Sequence, residues 1–289
     1  MMEDVLKELS PPAPMKKGRR KATSAVMTTL TAVCALIAVV ILLLILGYIA
    51  YQGVAAINWQ FLTTEYRPLG EGGGIGHAIL GSLILLSLAS VIGLPIGIAC
   101  GIYLAEFGAG WFGQTVRFVT DTLTGVPSII VGVFVYTLLV LPTKQYSAFA
   151  GGVALSLVMI PIVARTTEEM IRLVPTSLRE GALALGAPQW RVTLGVVLPA
   201  AASGIATGAM LAIARVSGET APLLLTVLGS RFFNWYLDQP MASLTVEIYN
   251  NAISAYEEEN AKAWAATLVL MTLILAINVI VRFFTRKKV

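Results

Sequence analysis

The 289 residues are 57% hydrophobic and only 12% charged, against about 25% charged in soluble domains, and the mean hydropathy is +0.81. This composition belongs to an integral membrane protein and excludes a soluble globular enzyme. The net charge of +4 is less informative than the placement of the basic residues, which governs membrane orientation; nucleic-acid binding is not the use the pattern implies.

In chain order, residues 1–23 carry Pro11, Pro12, Pro14 and the cluster Lys16, Lys17, Arg19, Arg20, Lys21, and read as a disordered basic cytoplasmic tail. Residues 24–51 form the first transmembrane anchor: Ala25 to Tyr51 is apolar for longer than the ~20 residues a crossing needs. A secretory signal core runs only about 7–15 residues, so an uncleaved anchor is expected. Residues 52–76 are an external loop ending in Gly72-Gly73-Gly74-Ile75-Gly76, and 77–285 form the core. Within the core, spans are expected at Ala78–Ala105, Val126–Leu141, Phe149–Ala164, Ala200–Leu228 and Trp264–Phe284, with an amphipathic connection from Glu106 to Asp121. Pro127 is expected to kink or open the third span. Pro161 should interrupt the fourth, which Arg165 ends. Gly93, Gly97 and Gly101 repeat every four residues, a small-residue face that favours close packing against a neighbouring helix of the same chain. Residues 286–289 are a basic cytoplasmic end.

Six spans place both termini on one side. Sorted by alternate loops, fifteen Lys and Arg fall on the side of the termini and the 166–199 loop, four on the other, and Arg215 is left inside the fifth span. The positive-inside rule puts the termini and that loop in the cytoplasm.

Three places carry candidate chemistry. In the 166–199 loop, Glu180 to Pro199 is a polar-studded stretch between apolar blocks. A short helix is expected to about Leu185, with Gly186 as its left-handed cap and Pro188 opening the next segment. Two readings of Glu180 fit: Ser177 and Glu180 form a capping box, or Glu180 belongs to a surface on which Leu178, Ala182 and Leu185 share one face suited to another protein's groove. In the fifth span, Arg215 and Glu219 are ionisable residues in an apolar run, Arg215 on the order of 20 Å past Pro199 at ~1.5 Å per residue. An unpaired charge there costs at least ~3 kcal/mol, so such residues face a partner or a polar path. Ser217, Gly218 and Thr220 give that region a polar, closely approached surface. At the end of the fourth span, Arg165 can reach Glu168 or Glu169 at helical spacing, and both a structural pair and a contact to an oxyanion substrate fit it.

Several chemistries are excluded or disfavoured. No G-x-x-x-x-G-K-[ST] occurs, so no nucleotide-phosphate loop is present. There is no Ser/His/Asp or Cys/His set. The lone His77 reads as an interfacial cap, and Cys34 and Cys100 fall in apolar segments, which argues against a disulfide framework or a metal cluster.

Glu180-Gly181-Ala182, then Gly186, Val196 and Leu198-Pro199 reproduce the spacing of the E-A-A, G, I-x-L-P signature of ABC importer permeases, with Gly181 replacing the first Ala and Val196 replacing Ile. EGGG, GIYLAEFG, VPSIIVGVFVY, PIVARTTEEM and LAIARVSGETAPLL follow the same family in order over roughly residues 65–285. The chain resembles the type I ABC importer permease family, and within it the phosphate permeases. That resemblance implies an all-α bundle of six transmembrane helices with both termini cytoplasmic, in the inner membrane of a bacterium. It implies transport of inorganic phosphate by alternating access and no enzymatic activity of its own. It further implies a PstC-like sister permease, two PstB-like ATPase subunits carrying ATP and Mg, and a PstS-like phosphate-binding protein. By the same resemblance Arg215 and Glu219 match the charged pair of the translocation path and Arg165 a further functional arginine; Ser217 and Thr220 join the path on their polar character beside that pair. Glu180, Gly181, Ala182 and Gly186, with Leu178 and Leu185, form the ATPase docking loop. Competing readings are transport of sulfate or molybdate, a signalling component using the same loop, and a self-sufficient secondary transporter, which has no use for the loop.

Overall fold

The computed structural model describes residues 17–68 and 70–286, and the chain divides into two units between Tyr51 and Gln52. The first unit is built on α1 (Lys17–Val54), helical without a break. The helix thus starts inside the stretch expected to be disordered through residue 23. Arg19, Arg20, Lys21 and Ala22 are good helix formers, and extending a helix already nucleated in the apolar run costs little. Residues 1–16 of the expected tail, and 287–289 of the expected basic end, lie outside the described residues.

The second unit continues through α2 (Trp59–Thr63), α3 (Gly76–Glu106), α4 (Trp111–Gly125), α5 (Ser128–Thr143), α6 (Ala148–Arg172), α7 (Thr176–Ala184), α8 (Gln189–Ser217), α9 (Ala221–Thr226), α10 (Leu244–Ala252) and α11 (Glu257–Arg286). Among the described residues, α1, α3, α6, α8 and α11 are long and apolar enough to cross a membrane, and α4 with α5 is a sixth apolar element bent by 104°. The expected six spans map onto these, with different ends.

Each difference has a local cause. Pro127 opens α5 instead of kinking it, its φ of −55° and ψ of 131° turning the chain out of α4. Pro161 does not interrupt the fourth span, and Arg165 does not end it: α6 runs on to Arg172, because Arg165, Glu168, Glu169 and Arg172 pair at three- and four-residue spacing along the helix. The fifth span begins earlier and ends earlier than Ala200–Leu228. It starts at Gln189, and it stops at Ser217, where Gly218 caps it and Pro222 opens the separate α9. The loop between the fourth and fifth spans is therefore 173–188, shorter than 166–199. The sixth begins at Glu257, whose run of three glutamates complements the positive end of the helix dipole. Both α5 and α8 contain one π turn, at Tyr136–Val140 and Thr193–Val197.

The main core lies where α3, α6 and α8 meet, with Leu85, Ala89, Leu155, Met159, Val163, Ala212 and Val216 buried together. The glycine repeat explains how close α3 and α6 come. A Cβ on Gly93 would lie 3.1 Å from the Met159 sulfur, on Gly97 2.7 Å from Val163 Cβ, and on Gly101 2.5 Å from Thr167 Cβ. A second core, of Ile171, Val174, Val192, Val197, Ala201 and Ile205, lies under α7. A third gathers Phe61, Ile75, Leu244, Ala265 and Ala266 at the opposite end of α3.

Candidate functional site

Arg215 stands in the last turn of α8, and Glu219 lies just past its end, where the Glu219 N–H donates to the Val216 carbonyl. The two side chains pair, Arg215 Nη1 to Glu219 Oε1. They meet across the helix terminus and not along a helix face, and only the acid is buried: the Glu219 side chain is 7% exposed and that of Arg215 63%. Arg215 is thus at the helix end and open on its outer side, contrary to the expectation of a residue deep inside a continuous span. Thr245 Oγ1 donates to the Glu219 carbonyl at 3.1 Å, which holds the turn to α10. Ser217 Oγ donates to the Ile213 carbonyl, and Thr220 leads into α9. Beside Arg215 is a cavity of about 600 Å³, walled by Val126, Pro127, Ile130 and Phe134 at the α4–α5 corner and by Leu157, Val158 and Ile162 of α6. A guanidinium at the rim of an apolar cleft is the one strong anion ligand in that wall.

The segment expected to dock takes a definite shape. Pro175, φ −55° and ψ 138°, seats the first turn of α7, and no side chain caps it. The Ser177–Glu180 capping box is therefore not formed: Thr176 already lies in the helix, so Ser177 is past the capping position. At the other end Gly186 has φ +80°. Its N–H donates to the Leu183 carbonyl and the Ala187 N–H to the Ala182 carbonyl, the double closure of a Schellman cap. No residue of α7 is buried. Leu178, Glu180, Gly181 and Gly186 are exposed, Leu185 is 90% exposed, and Ala182 is half-buried against the core below.

Arg165 lies in the last two turns of α6, its Nε 3.0 Å from Glu169 Oε1 and its Nη1 3.6 Å from Glu168 Oε2 and 3.9 Å from Asp121 Oδ1. No contact joins it to Arg215 or Glu219 among the described residues. The geometry adds what the spacing did not show. Glu168 is 1% exposed and gathers two further arginines, Arg117 Nε at 2.8 Å and Arg172 Nη2 at 2.6 Å. Arg172 was readable at four-residue spacing, but Arg117 is distant in sequence. Arg179, next to Glu180, places Nη2 3.0 Å from Glu106 Oε1 at the end of α3. His77 is not a helix cap: its buried ring faces Glu247, 3.6 Å away, and the edge of Phe233.

A profile of the family described as binding-protein-dependent transport system inner membrane component matches residues 93–289. The chain belongs to that family. It is 47% identical over 230 residues to the phosphate transport system permease protein PstA of Yersinia pestis, covering 78% of each chain. It is 43% identical to PstA of Haemophilus influenzae (84% of this chain, 87% of the relative) and 36% identical to PstA 1 of Mycobacterium tuberculosis strain H37Rv (93% and 91%). Among solved structures, a chain of the inward-facing MetNI methionine ABC transporter matches with a TM-score of 0.62 at 19% identity, over 74% of this chain and 97% of that one. One from a bacterial ABC transporter importing alginate matches at 0.60 and 15%, over 92% and 99%. The solved structures share the all-helical fold, and the family match with the curated relatives makes this chain a multi-pass membrane component of a transport system.

Proposed function

We propose that this chain is the phosphate-carrying permease subunit of an ATP-driven importer, working by alternating access. The observation that carries the reading is 36–47% identity to phosphate permeases across most of the chain, in a molecule whose Arg215 offers a guanidinium to an anion at the rim of an open cleft. Arg215 attracts the oxyanion through paired N–H donors, and buried Glu219 competes for the same guanidinium, so the anion is held briefly and released. Arg165 is assigned to the same path on the family pattern, and Ser217 and Thr220 on the polar surface they give the end of the span.

ATP and Mg reside on partner ATPases, two PstB-like subunits, since the sequence has no phosphate-cradling loop. Glu180, Gly181, Ala182 and Gly186, with Leu178 and Leu185, form the surface that enters the ATPase groove. A PstC-like sister permease supplies the other wall of the path, and a PstS-like binding protein delivers phosphate. The basic residues put α7 and both termini in the cytoplasm of the bacterium.

The test is uptake of labelled phosphate by the assembled complex in proteoliposomes, with sulfate and molybdate as competitors. Phosphate alone should compete, and Arg215→Gln should lower uptake at least about tenfold while the ATPase still copurifies. Normal uptake by Arg215→Gln overturns the role of Arg215, and equal competition by sulfate overturns the cargo.

A further inference from the structure

Glu106 stands where a carboxylate is least welcome. It is the last residue of α3, at the negative end of that helix's dipole, and its side chain is only 7% exposed. Two groups offset this. Thr193 Oγ1, in the π turn of α8, donates to its Oε2 at 3.4 Å, and Arg179 Nη2 lies 3.0 Å from its Oε1. Arg179 is the residue before Glu180 on α7, yet it points the other way: its Nη2 also donates to the Ile171 carbonyl at 2.7 Å, near the end of α6. One guanidinium therefore joins the exposed helix α7 to the ends of two core spans, and the carboxylate it meets reaches a third, α8.

Little else ties α7 down. It buries no residue, and only Ala182 leans on the core beneath. A displacement imposed on its outer face has few apolar contacts through which to travel, whereas a charge pair between partly buried groups resists stretching.

We propose that the Arg179–Glu106 pair is the strut that transmits movement of α7 into the bundle. Arg179 is a positioning residue: it touches neither cargo nor partner, and it makes α7 and α3 move as one. The inference rests on the reading of α7 as the ATPase-docking helix.

The experiment uses the full complex of permeases, ATPases and binding protein in nanodiscs and proteoliposomes. The variants are Arg179→Ala, Glu106→Gln and the exchanged pair Arg179→Glu with Glu106→Arg, and the readouts are copurification of the ATPase, basal ATP hydrolysis, its stimulation by loaded binding protein, and phosphate uptake. For the single variants the strut predicts unchanged copurification and basal hydrolysis, with uptake per ATP reduced at least about tenfold; the exchanged pair recovers a substantial part of that coupling. Unchanged uptake per ATP in both single variants overturns the proposal. So does loss of the ATPase in Arg179→Ala that the exchanged pair fails to restore, which would place Arg179 in the docking contact itself. If the unmodified chain retains no ATPase at all, the docking reading falls, and the strut falls with it; this outcome is distinguishable because it needs no substitution.

Discussion

Glu168 and Glu169 are adjacent on one helix and illustrate how position changes the worth of a charge. Glu169 is exposed and meets Arg165 alone, a pair that solvent screens to between zero and about 1 kcal/mol. Glu168 is buried beneath Arg117, Arg165 and Arg172, so removing it strands arginines that are partly withdrawn from water. Breaking a buried pair costs roughly 3–5 kcal/mol, and the exposure of Arg165 and Arg172 brings this case to the lower end. Glu168→Ala should therefore lower the thermal unfolding midpoint in detergent by several degrees, and Glu169→Ala should leave it within about one degree. Equal shifts for the two variants would show that Glu168 holds α4 and α6 together no better than a surface pair does.

At the scale of the element, α7 shows which features of a helix its sequence announces. Its end was legible, because Gly186 can take φ +80° without a Cβ clash and Pro188 bars continuation. Its start was not, since Ser177 and Glu180 have capping-box spacing while Pro175 sets the entry two residues earlier. The same competition recurs in α6: Pro161 and Arg165 read as a break and an end, but local charge pairing and the tertiary contact with the α3 glycines carry the helix through both. Because α7 buries nothing, its outer face can be altered without disturbing the core. Leu185→Asp, at a side chain already 90% exposed, should leave the chain's thermal unfolding unchanged and reduce the ATPase that copurifies by at least about fivefold, given the weight of buried apolar anchors in such contacts. Full retention of the ATPase would remove Leu185 from the docking surface.

Across the whole molecule, the apolar blocks announced the six long apolar elements found among the described residues, though not the short helices α2, α9 and α10, and the glycine repeat announced that α3 packs closely on another span. What spacing could not show is which distant residues converge: Arg117 on Glu168, Arg179 on Glu106, Thr245 on the Glu219 turn. Each of these joins separate helices, and a contact across tens or more of residues leaves no local period. The π turn at Thr193–Val197 was equally silent, since one turn of five residues hides easily in an apolar run. Its effect nevertheless reaches the far end of α8. Each residue advances an α-helix by about 100°, so the turn works as a phase setting: by holding the extra residue it keeps the compass bearing at which Arg215 leaves the helix, some twenty residues downstream. Deleting Gly195, which has open space around it, should convert the wide turn to a regular one and leave Arg215 facing its cleft, because the π turn holds its extra residue within a single turn. Uptake should then persist in the deletion variant, as it should in Gly195→Ala, which keeps the count. Loss of uptake in the deletion variant, with the ATPase still attached, would mean that the π turn does not take up the extra residue. The aim of Arg215 is thus dialled in at the end of the helix nearest α7, by a turn that carries no charge.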